Sequence, residues 1–195
     1  MSDSFLTEEK VDPRVRRTLQ FLEEAFSTLI HEKDFQSITI QDITERAGIN
    51  RATFYAHFPD KYALLDYKIR QDFRAEIEKR TLSACHFSGE NLRVLIFAVC
   101  EFVGTTNHHC KSPRGQFEPF MEAQVKGQVK DLLLTWLGQM ETNSRVSPEI
   151  AATAASWAIY GLAQYWNREK ERIALEEFVE QILPLVEANL QLSRV

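Results

Sequence analysis

Residues 37–65 read SITIQDITERAGINRATFYAHFPDKYALL, and this stretch divides into three helices with almost no residues between them. Thr39 followed three residues later by Asp42 is a capping box, which predicts that a helix begins there. Gly48 suits the left-handed turn that ends such a helix, and Asn50 is an N-cap residue that starts the next one. Two short helices joined by a glycine turn predict a helix-turn-helix, whose second helix lies in the major groove of DNA.

The second short helix has a core face and a polar face. Phe54 and Phe58 are four residues apart and predict the core face. Pro59 and Asp60 end this helix and cap a third one. The polar, small and basic residues on the other side of the helix are therefore candidates for DNA contact.

DNA recognition requires hydrogen-bond donors for base edges and further donors for the flanking phosphates. A guanidinium in the first turn of the second helix can bond a guanine edge at two points. We assign base readout to Gln41, Arg51, Ala52 and Thr53. Phosphate contacts are expected from Thr39, Tyr55, His57 and Lys61, with Asn50 added to the DNA-binding set. Structural alternatives remain for three of them: Tyr55 as a core aromatic, His57 as a bonded surface histidine, and Asn50 as a cap alone.

The string ITERAGINRATFYAHFPDK, residues 43–61, resembles the signature of the tetracycline-repressor (TetR) family of bacterial transcription regulators. The resemblance covers roughly the first third of the chain, and the remainder is similar to the family in length and helical character. It implies the same phosphate-contacting roles for Thr39, Tyr55, His57 and Lys61, position by position. It also implies an inducer pocket among the central helices.

Composition narrows the class of protein. The chain has 195 residues and a net charge of -5, with 44% hydrophobic and 26% charged residues, which is ordinary for a globular protein. The longest apolar run, residues 94–100, is too short to span a bilayer, and the first nine residues show no signal-peptide pattern. We therefore expect a cytoplasmic protein with no membrane partner. Residues 46–74 contain six basic and three acidic side chains, a local charge of +3 that suits a short, specific DNA footprint.

Apolar residues recur at spacings of three and four residues along most of the chain, and this helical period predicts an all-α fold. We expect an N-terminal three-helix helix-turn-helix DNA-binding domain, residues 1–58, and a C-terminal helical ligand-binding and dimerisation domain, residues 59–195. The first helix is expected from Asp12 to near Asp34, and the helix that starts at Asp60 is long enough to enter both domains. Later helices are expected over residues 92–106, 117–140, 147–168 and 174–192, with a weak point or break at Gly127.

The C-terminal part is expected to bind an inducer and to form a homodimer. Candidate inducer-binding residues are Phe97, Phe120, Trp136, Trp157 and Tyr160. Candidate dimer residues are Ala154 and Gly161 on the penultimate helix and Phe178, Ile182 and Val186 on the last helix. An intramolecular core is the competing interpretation of these two faces. Two-fold symmetry would match the two half-sites that a short recognition helix needs.

Other activities find little support in the sequence. It contains no glycine-rich phosphate loop, nucleophile elbow or spaced metal-ligand set, so we expect no enzymatic activity, no cofactor and no metal site. Cys85, Cys100 and Cys110 are an odd number, which is not a disulfide framework. His108 and His109 beside Cys110 raise a metal or redox alternative, but they lack the paired spacing of zinc ligands.

The expected function is a ligand-responsive, sequence-specific regulator of transcription. It would be a repressor that binds a double-stranded DNA operator and is released by a small hydrophobic inducer. The alternative is a DNA-binding regulator or interaction scaffold whose core is fully packed and takes no small molecule.

Overall fold

The computed structural model describes residues 12–80, 86–109, 118–139 and 146–190, apart from the side chains of residues 106–109. These residues form eight α-helices and one short 3-10 turn, and no strand occurs among them. In chain order the elements are α1 (Pro13–Glu32), the 3-10 turn (Phe35–Ser37), α2 (Ile40–Ala47), α3 (Arg51–His57), α4 (Lys61–Arg80), α5 (Gly89–His109), α6 (Glu118–Leu137), α7 (Pro148–Arg168) and α8 (Leu175–Asn189). The all-α prediction is confirmed.

The elements fall into two compact units. The first consists of the described residues within 1–69 and 107–120, and the second of those within 70–106 and 121–190. Helix α4 contributes residues to each unit. The functional boundary expected between residues 58 and 59 stays a prediction.

In the first unit, local signals set the ends of the helices. The Asp12 carboxylate accepts a hydrogen bond from the Arg14 amide, so α1 begins at Pro13 as expected. Gly48 lies in the left-handed region with φ of 67°, where a side chain would be strained, and it ends α2. Asn50 then caps α3 through the amide of Thr53. The short segment that follows α1 is a 3-10 turn and not a strand, in agreement with the sequence-based expectation.

The core of the first unit lies beneath α2 and α3. Phe54 and Phe58 are buried, which confirms the predicted core face of α3. Apolar residues from α1, α2, α4 and the 3-10 turn with its C-cap complete this core. They include Leu22, Phe26, Phe35, Ile38, Ile43 and Leu64, each at most 1% exposed. Burial of this set holds α3 with its opposite face toward solvent.

In the second unit, α5 to α8 bury their apolar faces against one another. Ser147 caps α7 and Pro148 occupies its first position, as expected. Helix α5 begins at Gly89, three residues before the predicted start, because the Ser88 hydroxyl accepts a hydrogen bond from the Asn91 amide and caps it. Helix α6 continues through Gly127 without a break.

Helices α5 and α7 approach closely at Gly104. A Cβ atom built on Gly104 would lie 2.6 Å from Oδ1 of Asn167. The Asn167 amide donates hydrogen bonds to the carbonyls of Cys100 on α5 and Ala163 on α7, at 2.9 and 3.0 Å. Because Gly104 has no side chain, the Asn167 amide fits beside it and joins α5 to α7. None of the described helices is both long and apolar enough to cross a bilayer.

Candidate nucleic-acid interface

The N-terminus of α2 is held by a complete capping box. The Thr39 hydroxyl accepts from the Asp42 amide at 3.1 Å, and the Asp42 carboxylate accepts from the Thr39 amide at 2.7 Å. Lys33 on α1 forms an ion pair of 2.8 Å with Asp42. Hydrogen bonds from Lys33 and Thr39 lower the pKa of Asp42 to about 2. The stabilisation from this carboxylate is therefore present above its ordinary pKa near 3.8 and is lost as the pH falls toward 2.

Helix α3 presents the predicted DNA-facing residues to solvent. Arg51 and Ala52 are exposed, and Thr53 and His57 are half-buried. Tyr55 is 55% exposed, so the alternative that it is a core aromatic is excluded. Its ring lies edge-on to Phe54, with 5.6 Å between the ring centroids. The buried Phe54 ring thus packs against the exposed ring of Tyr55.

Two residues predicted for base readout are bonded to each other. The Arg51 guanidinium donates from Nη2 to Oε1 of Gln41 at 2.6 Å. The Gln41 amide in turn donates to Oε1 of Glu45 at 2.7 Å. Glu45 was not among the predicted site residues, although its spacing of four from Gln41 on α2 is a signal that could have found it.

Three other predicted residues already have partners inside the unit. Asn50 accepts from the amide and the hydroxyl of Thr53, at 2.7 and 3.0 Å. The Thr39 hydroxyl donates to the Asp42 carboxylate at 2.7 Å. These bonds show structural roles for Asn50, Thr53 and Thr39, and any phosphate or base contact by the same polar groups would compete with them. Their DNA contacts stay predictions.

Lys61 has a role that its position in the sequence did not reveal. Its ammonium donates to the backbone carbonyls of Phe35, Gln36 and Ile38, at 2.9, 3.1 and 2.9 Å. It also lies 4.6 Å from the centroid of the Phe35 ring. Burial lowers the pKa of Lys61, while the nearby Asp34 raises it. An ammonium has three donors, and all three point to carbonyls of the segment that leads into α2.

The predicted inducer-binding residues differ in burial and do not all belong to the same unit. Trp136 and Tyr160 are buried in the second unit, and Phe97 is half-buried beneath the Arg80 guanidinium. Phe120 belongs to the first unit. Trp157 is 61% exposed, with the Lys126 ammonium 4.7 Å from its ring centroid. The structure therefore places Trp157 on the surface of the chain and not in its interior.

The predicted dimer residues divide into an exposed and a buried group. Ala154 and Gly161 on α7 are exposed. Phe178, Ile182 and Val186 on α8 are at most 6% exposed within the chain itself. This corrects the predicted surface, because a side chain in the intramolecular core cannot also form the outer face of the protein. The competing interpretation, an intramolecular core, holds for these three residues.

The described side chains include no group of three or more His, Cys, Asp or Glu residues that could hold a metal ion. Cys85 and Cys110 and the side chains of His108 and His109 lie outside the described part. Cys100 is buried, and this burial raises the pKa of its thiol to about 12, so the thiol stays protonated at neutral pH.

An exposed recognition helix on a capped helix-turn-helix, followed by an all-helical second unit, defines the class of helix-turn-helix regulators. Residues 24–67 match the family model described as bacterial regulatory proteins, tetR family. A stretch of 78 residues is 40% identical to the uncharacterized HTH-type transcriptional regulator YxbF of Bacillus subtilis. That match covers 40% of this chain and 20% of the length of the relative.

Solved structures share the fold over most of the chain. The Lin0861 protein of Listeria innocua superposes with a TM-score of 0.59 at 17% identity, covering 96% of both chains. The transcriptional regulator FadR of Bacillus subtilis, in complex with stearoyl-CoA, superposes with a TM-score of 0.54 at 15% identity, covering 87% of this chain and 98% of the other. The family match thus covers residues 24–67, and over the rest of the chain the similarity to these solved structures shows the fold alone.

Replacement of Lys61 by methionine should destabilise the first unit. The variant removes the donor from three backbone carbonyls, and an unsatisfied buried polar group costs roughly 1–3 kcal/mol. We expect faster amide hydrogen exchange in α2 and a lower unfolding midpoint by circular dichroism. Lys79→Met is the control, because Lys79 lies on the same helix but is exposed. Unchanged stability together with lost DNA binding would show instead that Lys61 acts only as a phosphate contact.

Proposed function

We propose that the protein is a sequence-specific DNA-binding regulator of transcription, and that α3 reads the major groove of double-stranded DNA. The observation that carries this proposal is the outward face of α3, where Arg51 and Tyr55 are exposed opposite a buried face of phenylalanines. A guanidinium near the start of the helix suits a guanine edge. The phenol of Tyr55, His57 at the end of the helix, and the exposed Ala52 extend this surface toward the flanking backbone.

Regulation by a homodimer is supported by an exposed stripe on α7. Ile150, Trp157 and Tyr165 are each about 60% exposed, and the small residues Ala154 and Gly161 lie between them in sequence. The spacings of four, three, four and four place all five on one face of the helix. Leu185 on α8 is also exposed. We infer that this face pairs with its symmetry mate, which would give a regulator two recognition helices for two half-sites.

Response to a ligand is supported by a buried polar group of the second unit that lacks a hydrogen-bond partner among the described residues. Gln128 on α6 is buried, and no hydrogen-bond partner for its amide nitrogen is found among the described residues. A buried donor without an acceptor is costly, so an acceptor on a bound molecule would stabilise it. The buried polar residues of this unit are uncharged: Asn91, Gln128, Ser156 and Gln164. An apolar, uncharged inducer with a hydrogen-bond acceptor fits these surroundings.

A path for the ligand signal runs through aromatic contacts in the first unit. Phe120, in the first turn of α6, stacks on Tyr62 with 5.7 Å between the ring centroids. Tyr62 lies edge-on to Phe35 at 5.2 Å, and Phe35 is one of the residues whose carbonyl Lys61 binds. Movement of the start of α6 would therefore reach the segment that precedes α2. Coupling of this kind is typically worth 1–3 kcal/mol, enough for a repressor to be released from DNA.

Tyr55→Phe should weaken binding to DNA while leaving the fold intact. The probe is a duplex enriched by the wild-type protein from a random-sequence library. Loss of one hydrogen bond to a phosphate should reduce affinity about tenfold, as expected for roughly 1.5 kcal/mol. Tyr62→Phe is the matched control, since it removes a phenol hydroxyl from the same unit and keeps the stacked ring. Equal affinity of both variants in a gel-shift titration would contradict the assignment of Tyr55.

Trp157→Glu should convert the protein to a monomer. The substitution places a charge in the centre of the exposed stripe on α7, where dimerisation would have to desolvate it. Light scattering at micromolar concentration should give the mass of two chains for the wild type and of one chain for the variant. Ile173→Glu, which alters an exposed apolar residue outside α7, should remain dimeric. A monomeric wild-type protein would overturn the proposed interface.

A thermal-shift screen tests the ligand proposal against the alternative of a packed core without an inducer. The panel contains small phenols and fatty-acid methyl esters as uncharged compounds, with free fatty acids and stearoyl-CoA as charged comparisons. A ligand that binds only the folded protein raises the unfolding temperature, and the shift grows with the logarithm of ligand concentration above Kd. We expect a shift with at least one acceptor-bearing compound, and a smaller one in the Gln128→Leu variant. Equal shifts in both proteins would exclude Gln128 from the site, and no shift with any compound would favour the packed core.

A further inference from the structure

Three exposed side chains form a hydrogen-bonded series across the helix-turn-helix. Glu45 and Gln41 lie one turn apart on α2, and Arg51 begins α3. The Gln41 amide donates to Glu45 at 2.7 Å, and its oxygen accepts from Arg51 at 2.6 Å. The series therefore ends on the guanidinium to which the proposed function assigns base readout.

Glu45 determines which end of the Gln41 amide faces Arg51. An ionised carboxylate can only accept hydrogen bonds, so the NH2 end of the amide must face Glu45. The oxygen is then turned toward Arg51, which can only donate. Without Glu45, the amide could rotate and present its NH2 group to the guanidinium, where neither group can accept. The carboxylate thus reinforces, together with Arg51 itself, the one orientation of Gln41 that holds Arg51.

A held guanidinium favours discrimination between bases. Arginine has five N–H donors in a planar fork, so one bond to Gln41 leaves donors for the two acceptors of a guanine edge. A long side chain that is already positioned loses less conformational entropy when it binds its base. Its plane is also fixed before binding, which limits contacts with a wrong base. The expected gain is in sequence preference more than in affinity.

The fold does not depend on the Glu45 side chain. Helix α2 is capped by Thr39 and Asp42 at its start and by Gly48 at its end. Its ion pairs with the end of α1 are made by Arg46 with Glu32 and by Asp42 with Lys33, at 2.7 and 2.8 Å. Glu45 contributes its backbone carbonyl to the cap, and this carbonyl is retained by any substitution. Its exposed carboxylate near a DNA-facing surface should instead lower the affinity for phosphates.

We propose that Glu45 is a positioning residue for base recognition, which acts through Gln41 on Arg51 and increases sequence preference at a cost in overall affinity. This inference rests on the proposed function, since it assumes that Arg51 reads a base. It makes Glu45 a determinant of specificity although it contacts neither base nor phosphate.

The test compares four full-length variants with the wild type: Glu45→Ala, Glu45→Gln, Arg51→Ala and the double variant Glu45→Ala/Arg51→Ala. Wild-type protein first enriches its preferred sequence from a library of random duplexes. Arg51→Ala then identifies the base pair whose preference depends on Arg51. Sequence preference is the ratio of affinities for the enriched duplex and for the duplex changed at that pair.

We expect Glu45→Ala to reduce this preference about tenfold, within the range that a bidentate base contact provides. Glu45→Gln keeps an acceptor oxygen for Gln41 and should retain most of the preference. Both variants should bind all duplexes more tightly, because a negative charge is removed. In the Arg51→Ala background, Glu45→Ala should not change the preference further, since the two residues act on the same contact.

The outcomes separate this inference from the function on which it rests. If Glu45→Ala and Glu45→Gln raise affinity for every duplex and leave the preference unchanged, Glu45 is only a repulsive charge and the positioning role is wrong. An equal loss of preference with and without Arg51 would also overturn it. Failure of the wild-type protein to enrich any sequence would overturn the proposed function, and this inference with it.

Discussion

The left-handed backbone at Gly48 is the constraint on which the exposed face of α3 depends. Helix α2 starts at the capping box of Thr39 and Asp42 and must end at Gly48, and only Ile49 separates this turn from the cap at Asn50. Neither helix can lengthen or slide without the loss of a cap. Burial of Phe54 then sets the rotation of α3 about its own axis, and the remaining residues of that helix face outward as a result.

Several polar groups near this surface are bonded within the fold itself. Lys61 uses its three donors on carbonyls of the segment before α2, and Asn50 and Thr53 bond each other. The local charge of +3 over residues 46–74 is therefore a poor count of the cations available to contact phosphates, because the Lys61 ammonium is already bonded. Arg51 is instead held at the surface by Gln41, which suits a protein that recognises a short sequence more than one that coats DNA.

The second unit combines a buried apolar interior with two features that the described part of the chain leaves exposed or unpaired. Ile150, Trp157 and Tyr165 on α7 stay about 60% exposed among the described residues, and the Gln128 amide nitrogen has no partner there. A symmetry mate would bury the first, and an acceptor on a ligand would satisfy the second. Asn167 joins α5 to α7 through hydrogen bonds to a carbonyl of each helix.

The sequence by itself determined the helices and the exposed face of α3, because caps and apolar spacing act between residues at most four apart. It gave the wrong start for α5, since Ser88 suits a turn and a cap equally well. Only the tertiary structure decided the partners of Lys61, which lie more than twenty residues away, and the burial of Phe178, Ile182 and Val186. An amphipathic face shows that a helix must pack against something, but the partner is set by which surfaces the folded chain brings together.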